Sequence, residues 1–154
     1  MPIIMSELDP AEVRACAQDC AAANVRRASR AITKLYGHFM ADTGLEPTQY
    51  SLLVACSLTD STTVSKLAGA FAMDRSALAR NLSVMEKRGL VKVKPGDDRR
   101  TRKVTLTAFG KATLANALPH WRRAQSQVEQ KFGVGRLQNL LLELRALMSA
   151  TTGK

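Results

Sequence analysis

Between Asp74 and Lys103 the chain sets ten basic side chains against four acidic ones, a net of +6. The whole chain carries +10, while residues 1–73 carry −1 and residues 104–154 carry +5, so the charge is concentrated. A merely solvated surface mixes signs more evenly. Arg75, Ser76, Ala77, Arg80 and Asn81 fall within about two helical turns. An arginine can fork onto the two acceptors of guanine, an asparagine amide onto adenine, and small side chains let a helix approach base edges. Asp74 is placed to orient Arg75. Lys87, Lys92 and Lys94 follow as point charges suited to phosphates. Asp98, Arg99, Arg100, Arg102 and Lys103 crowd the loop after Pro95, where arginines can enter a narrow minor groove and Asp98 can brace Arg100. The plainer reading is a surface hairpin whose arginines pair with Asp97 and Asp98. Two acids cannot neutralise four bases, so positive charge stays available for a polyanion such as double-stranded DNA.

Other chemistry is sparse. Cys16 and Cys20 lie four residues apart on the first predicted helix and so share one face of it. Buried small residues, a redox pair and a metal site compete as explanations. Their apolar surroundings, Ala15, Ala22 and Ala23, do not favour an exposed thiolate. Two thiols without histidines at ligand spacing make a poor zinc site, so no metal and no cofactor is expected. Three cysteines, with Cys56, are too few for a disulfide scaffold, and a reducing cytoplasm is the natural setting. Tyr36, His38, Phe39, Tyr50 and Trp121 could wall a site for a small phenolic or aromatic acid effector, or simply fill the core. There is no Gly-rich phosphate loop, HExxH or G-x-S-x-G elbow, so an enzyme is not indicated. The apolar run Ile3–Met5 lacks a basic flank, which argues against a secretory signal, and no stretch reaches the roughly 20 apolar residues that span a bilayer.

The 154 residues suit one domain with an oligomerisation extension. Asp9-Pro10-Ala11-Glu12 opens a helix that meets no breaker before Gly37 and runs to about Ala41. A second helix covers Pro47 to about Leu58, and Thr59–Thr63 is a polar break. A short third helix covers Val64 to about Ala72. Asp74 caps a fourth, Arg75 to Lys87, with Met73 and Leu78 as a hydrophobic staple and Gly89 as the stop. Leu90–Lys94 and Lys103–Thr107 alternate apolar and polar as the strands of a basic hairpin. A long helix capped by Thr107 runs to about Phe132, with a kink or break expected at Pro119. The last helix, about Arg136 to Met148, carries the apolar stripe Leu137, Leu140, Leu141, Leu144, Leu147 and Met148. At a chain end, a second copy of the chain is the cheapest cover for that stripe. The predicted fold is mainly α: a winged helix-turn-helix lobe at residues 47–107, flanked by a helical dimerisation region from residues 9–42 and 108–150.

The segment MDRSALARNLSVMEKRGLVKVKPGDDRRTRKVTLTAFGKA, residues 73–112, resembles the winged helix-turn-helix of the MarR family of bacterial transcription regulators. NVRRASRAITKLY (24–36), Leu45–Tyr50 and ALPHWRRAQ (117–125) resemble the family's first, second and fifth helices, and Asp98-Arg99-Arg100 matches its wing motif. The resemblance spans about residues 10–150. It implies a homodimer on a pseudo-palindromic operator, acting in the cytoplasm at the nucleoid, most often as a repressor released by a small aromatic ligand. The family's hydroperoxide-sensing branch uses a cysteine in the first helix, at a position matching about Ala22. A cysteine-based redox regulator and a nonspecific architectural nucleic-acid-binding protein remain as alternatives.

Overall fold

The computed structural model describes residues 7–98 and 100–152, so the Ile3–Met5 run and Arg99 lie outside the described residues. The chain divides into two compact units, one up to Leu35 and one from Tyr36 onward.

In the first unit, α1 (Pro10–Asp19) begins where the sequence indicates, with the Asp9 carboxylate accepting from Ala11 N–H at 2.8 Å. The helix does not continue to Ala41. It stops at Cys20, whose ψ of 108° is extended, and α2 (Ala21–Met40) starts afresh. The cause is Asn24, whose amide donates to the carbonyls of Gln18 (2.8 Å) and Cys20 (3.0 Å). Those bonds give the chain an alternative to uninterrupted helix at a point where no buried face resists the change. None of the residues of α1 is buried.

In the second unit, α2 ends in a 3-10 turn, Ala41–Thr43, closed by Gly44 at φ 66°. α3 (Pro47–Ser57) follows, with Glu46 N–H donating to Gln49 Oε1 at 3.2 Å. Thr62–Thr63, predicted as part of a polar break, is a two-residue strand, β1. It pairs with Val104 and Lys103, a tertiary partnership that a polar dipeptide cannot advertise. α4 (Val64–Ala70) is capped by the Thr63 hydroxyl. α5 (Arg75–Lys87) follows after a tight turn. β2 (Val91–Pro95) and β3 (Arg102–Leu106) form the hairpin, and the sheet order β1-β3-β2 leaves β2 on an edge. α6 (Ala108–Phe132) is not broken at Pro119, which lies inside it. A 25-residue helix packed against the core retains enough other bonds to tolerate the loss of one N–H donor. α7 (Val134–Thr151) is longer than predicted because Gly135 sits inside it, while Gly133 at φ 96° makes the corner.

The core of this unit is Leu45, Leu52, Leu53, Leu67, Leu78, Leu82, Met85, Leu90, Val91, Val104 and Leu114, with Met40 and Cys56 beside them. The predicted stripe of α5, Leu78, Leu82 and Met85, is fully inside, which sets the orientation of that helix. No helix among the described residues is long and apolar enough to cross a membrane.

Both ends of the helix-turn-helix close in the same way. At α4, Met73 N–H donates to Ala68 O (3.0 Å) and Ala72 N–H to Gly69 O (3.2 Å). At α5, Leu90 N–H donates to Met85 O and Gly89 N–H to Glu86 O, both at 2.9 Å. Each is a Schellman closure with a left-handed residue after the helix. Gly89, at φ 72°, suits that position, whereas Ala72, at φ 47°, does not. Left-handed backbone costs a non-glycine residue about 1–2 kcal/mol, and glycine returns about half of that as unfolded-chain freedom. Ala72→Gly is therefore expected to raise stability by about 0.5 kcal/mol in denaturant titrations. Gly110→Ala is the opposite case. An added Cβ would lie 2.0 Å from the Leu90 carbonyl oxygen, which is backbone and cannot swing away. A loss of about 3 kcal/mol is expected from that overlap.

Candidate nucleic-acid interface

α5 presents its polar face because its apolar stripe is pinned in the core. Arg75, Ser76 and Arg80 are exposed, and Ala77 and Asn81 are half-buried. Ser83, one turn beyond Arg80, is also exposed on this helix. Its i+3 spacing from Arg80 is the sequence signal that places it on this face, although it is not among the residues expected above to read bases. Asp74 sits at the N-cap with extended backbone, but its carboxylate caps nothing and makes no ion pair with Arg75. The Asn81 amide donates to Ala77 O at 3.1 Å, so one of its two N–H donors is engaged within the helix.

The hairpin alternates as its sequence suggests. Val91 and Val104 are buried on one face, while Lys92 and Lys94 are exposed on the other. Lys94 pairs in register with Lys103, an unfavourable juxtaposition of like charges. The Asp97 carboxylate takes the Lys103 ammonium at 2.9 Å and relieves it. Lys103 is thus already partnered, and Arg100 and Arg102 are the exposed cations of the described loop. Asp98 braces Arg100 through the backbone: its carboxylate accepts from the Arg100 N–H at 3.1 Å. Gly96 N–H to Thr101 O (2.7 Å) and Thr101 N–H to Asp98 O (2.9 Å) close the turn.

The five aromatic candidates stand in different surroundings. Tyr36 donates its hydroxyl to Gln125 Oε1 at 2.6 Å, and Gln125 in turn donates to Glu129 at 3.1 Å. Burial, then the Glu129 charge and Tyr50, push the Tyr36 phenol above its ordinary pKa. Tyr50 is buried, and desolvation raises its pKa against the opposing pull of Arg122. Trp121 packs against the core, and His38 is exposed, edge-on to Phe39 at 5.6 Å. Phe39 lines an open groove of about 650 Å³ with Arg122, Arg123, Ser126, Gln127, Gln130 and Lys131. The Arg123 guanidinium lies 5.4 Å from the Phe39 ring centre.

The cysteine pair also changes. Cys16 is on α1 and Cys20 is at the helix break, so they do not share one helical face, and both are exposed in the protomer. Cys56 is buried, and desolvation pushes its thiol up to about 11. No group of three or more potential metal ligands occurs among the described residues.

A helix-turn-helix with an exposed basic face, beside a basic hairpin, defines a winged-helix DNA-binding regulator of transcription. The MarR family model matches residues 43–101. The M. tuberculosis transcriptional regulator MosR, solved in complex with DNA, is 37% identical over 85% of this chain and 95% of its own, with a TM-score of 0.77. A probable transcriptional regulator from Pseudomonas aeruginosa is 26% identical over 85% of this chain and 98% of its own, with a TM-score of 0.75. Bordetella bronchiseptica BpsR, whose DNA binding is regulated by 6-hydroxynicotinic acid, shares the fold at 20% identity, with coverage of 96% and 97% and a TM-score of 0.73. No curated protein sequence matches the chain. The chain belongs to the MarR family, and its relatives are transcriptional regulators rather than enzymes.

The Lys103 hydrogen bond, then its charge, holds the Asp97 carboxyl below the usual aspartate value of about 3.9. A depressed carboxylate contributes stability that is present above the unfolded value and is lost as pH falls through the folded one. The hairpin is therefore expected to loosen only at strongly acidic pH. Lys103→Met should move the Asp97 titration, followed by carboxyl NMR, upward toward the ordinary value. An unchanged titration would mean that the pair does not persist in solution.

Proposed function

We propose that the protein binds a pseudo-palindromic operator as a homodimer, most simply as a repressor acting at the nucleoid, and that a small aromatic acid releases it. The observation that carries the DNA reading is the exposed face of α5, where Arg75 and Arg80 stand clear of the core beside the basic hairpin. Ser76, Ala77 and Asn81 complete the base-reading set, Lys87, Lys92 and Lys94 supply phosphate contacts, and Asp98 shapes the loop that carries Arg100 and Arg102. Lys103 contributes mainly through Asp97.

The dimer reading rests on α7. None of its residues is buried; Leu140, Leu141, Leu147 and Met148 are exposed, and Leu137 and Leu144 are half-exposed. An apolar stripe of this length calls for a partner. Two-fold symmetry would then set two copies of α5 about one DNA turn apart, roughly 10 base pairs. Leu147→Glu should yield a monomer by sedimentation and abolish tight operator binding.

Arg80→Ala is expected to cost about 1–3 kcal/mol on the operator and to relax one base position, because a forked guanine contact is lost. Lys92→Ala should instead weaken every sequence alike and flatten the salt dependence. Equal losses on operator and random duplex for Arg80→Ala would overturn the assignment. A merely architectural protein would show no preference between the two duplexes, where a specific regulator prefers its operator by about 10³ or more.

The effector reading rests on the Phe39 groove, which pairs an aromatic face with Arg122 and Arg123 as carboxylate partners. Tyr36, Tyr50 and Trp121 then serve as its packed support. Hydroxybenzoates should weaken operator binding by about 5–150-fold, a coupling of 1–3 kcal/mol. Arg122→Ala/Arg123→Ala should remove that response while leaving operator affinity intact. The exposure of Cys16 and Cys20 favours a second reading, in which a hydroperoxide oxidises the two thiols to a disulfide and is itself reduced to alcohol and water. Release by peroxide in the parent but not in Cys16→Ser/Cys20→Ser, with no response to aromatic acids, would select it.

A further inference from the structure

The last turn of α5 carries two side chains that reach in different directions. Arg88 Nη1 donates to Gln49 Oε1 at 3.2 Å. The same oxygen accepts the Glu46 N–H at 3.2 Å, and Gln49 itself is buried. The guanidinium lies along Gly44, where an added Cβ would come within 3.4 Å of Nη2. One residue pair away, Glu86 Oε1 accepts the Val93 N–H of edge strand β2 at 2.8 Å. The end of α5 is therefore tied to the start of α3 by one side chain and to the hairpin by another.

We infer that Arg88 and Glu86 are positioning residues for DNA recognition, holding α5 and the hairpin in register without touching DNA. The inference rests on the reading that the exposed face of α5 contacts DNA. Geometry explains why the far end of the helix needs fixing. Arg75 and Arg88 are separated by about 20 Å of helix, at 1.5 Å per residue. A tilt of about 5° at Arg88 then moves Arg75 by roughly 1.5 Å, enough to break hydrogen bonds to a base edge. Arg88 is an exposed residue of the basic window, yet one of its guanidinium nitrogens donates to a buried amide oxygen. Glu86 is an acid within that window, and its carboxylate satisfies an edge-strand donor. On this account neither charge is a phosphate contact.

The test measures binding to the operator and to random duplex across a salt series, with thermal melting of each variant. Arg88→Ala and Gln49→Ala should each lower operator affinity about tenfold, within the range of coupling between neighbouring groups. Random-duplex affinity and the salt slope should stay unchanged, and the double variant should be no worse than either single one. Arg88→Lys and Gln49→Glu keep a donor and an acceptor in place and should restore most of the preference. They carry the test if an alanine variant fails to fold. Glu86→Ala should speed hydrogen exchange at the Val93 amide and lower operator preference, and Glu86→Gln should do neither. If Arg88→Ala weakens both duplexes equally and reduces the salt slope by about one, Arg88 is a phosphate contact and the inference falls. It also falls if Gln49→Ala leaves operator affinity untouched. Arg80→Ala serves as the control: if it too leaves operator preference unchanged, the reading of α5 as the DNA helix has failed, separately from the latch.

Discussion

The carbonyl of Leu90 is the point on which the DNA-binding elements depend. It accepts the Thr107 N–H at 3.1 Å, has the Thr107 hydroxyl at the same distance, and lies so close to Gly110 that no side chain fits there. Thr107 also donates its hydroxyl to Gly89 O at 2.6 Å and caps α6 by accepting from Gly110 N–H at 2.9 Å. One threonine therefore satisfies the end of α5, the start of α6 and the base of the hairpin together. These groups are polar and close to the core, so any loosening would leave donors or acceptors unpaired at a cost of about 1–3 kcal/mol each. The relative placement of α5, β2 and α6 follows from that joint.

Around it, charge is used in two ways. Some side chains are engaged by partners within the lobe: Lys103 by Asp97, Arg88 by Gln49, and Glu86 by the edge of β2. Others are exposed with no ion-pair partner among the described residues, among them Arg75, Arg80, Lys92, Lys94, Arg100 and Arg102. The division has a physical logic. A repulsive Lys94–Lys103 pairing and an open strand edge would both weaken the hairpin, and each is answered by one acid. Pro95, which has no N–H, closes the rest of that edge without needing a partner. The exposed cations are thereby carried on a scaffold whose own polar demands are already met.

The apolar side chains divide in a comparable way. α3, α5, β2 and β3 bury their large residues, whereas α7 keeps Leu140, Leu141 and Leu142 open. The aromatic residues are mostly committed to packing or to hydrogen bonds, as Tyr36 is to Gln125. Phe39 stands apart because Arg123 covers part of its face and leaves a basic groove beside it.

Local rules were enough to read much of this from the residues. Asp9 and Thr107 as caps, Gly89 as the stop, the Leu78–Leu82–Met85 stripe and the alternation of the two hairpin strands each depend on neighbours within a few positions, and each is where the pattern puts it. The basic face of α5 followed from the same periodicity, since fixing the apolar stripe inside turns Arg75 and Arg80 outward. What depended on distant partners was not legible. β1 exists because Thr62 and Thr63 meet β3 some forty residues later. The break at Cys20 arises from an asparagine amide competing for helix carbonyls, and the passage of α6 through Pro119 from packing that outweighs one lost bond. The placement of Phe39 beside Arg123, and the hydrogen bond from Arg88 to Gln49, were decided by which surfaces the fold brought together. Periodicity reports the face on which a side chain lies. Only the tertiary structure sets what that face meets, because burial energy depends on neighbours that sequence spacing does not encode.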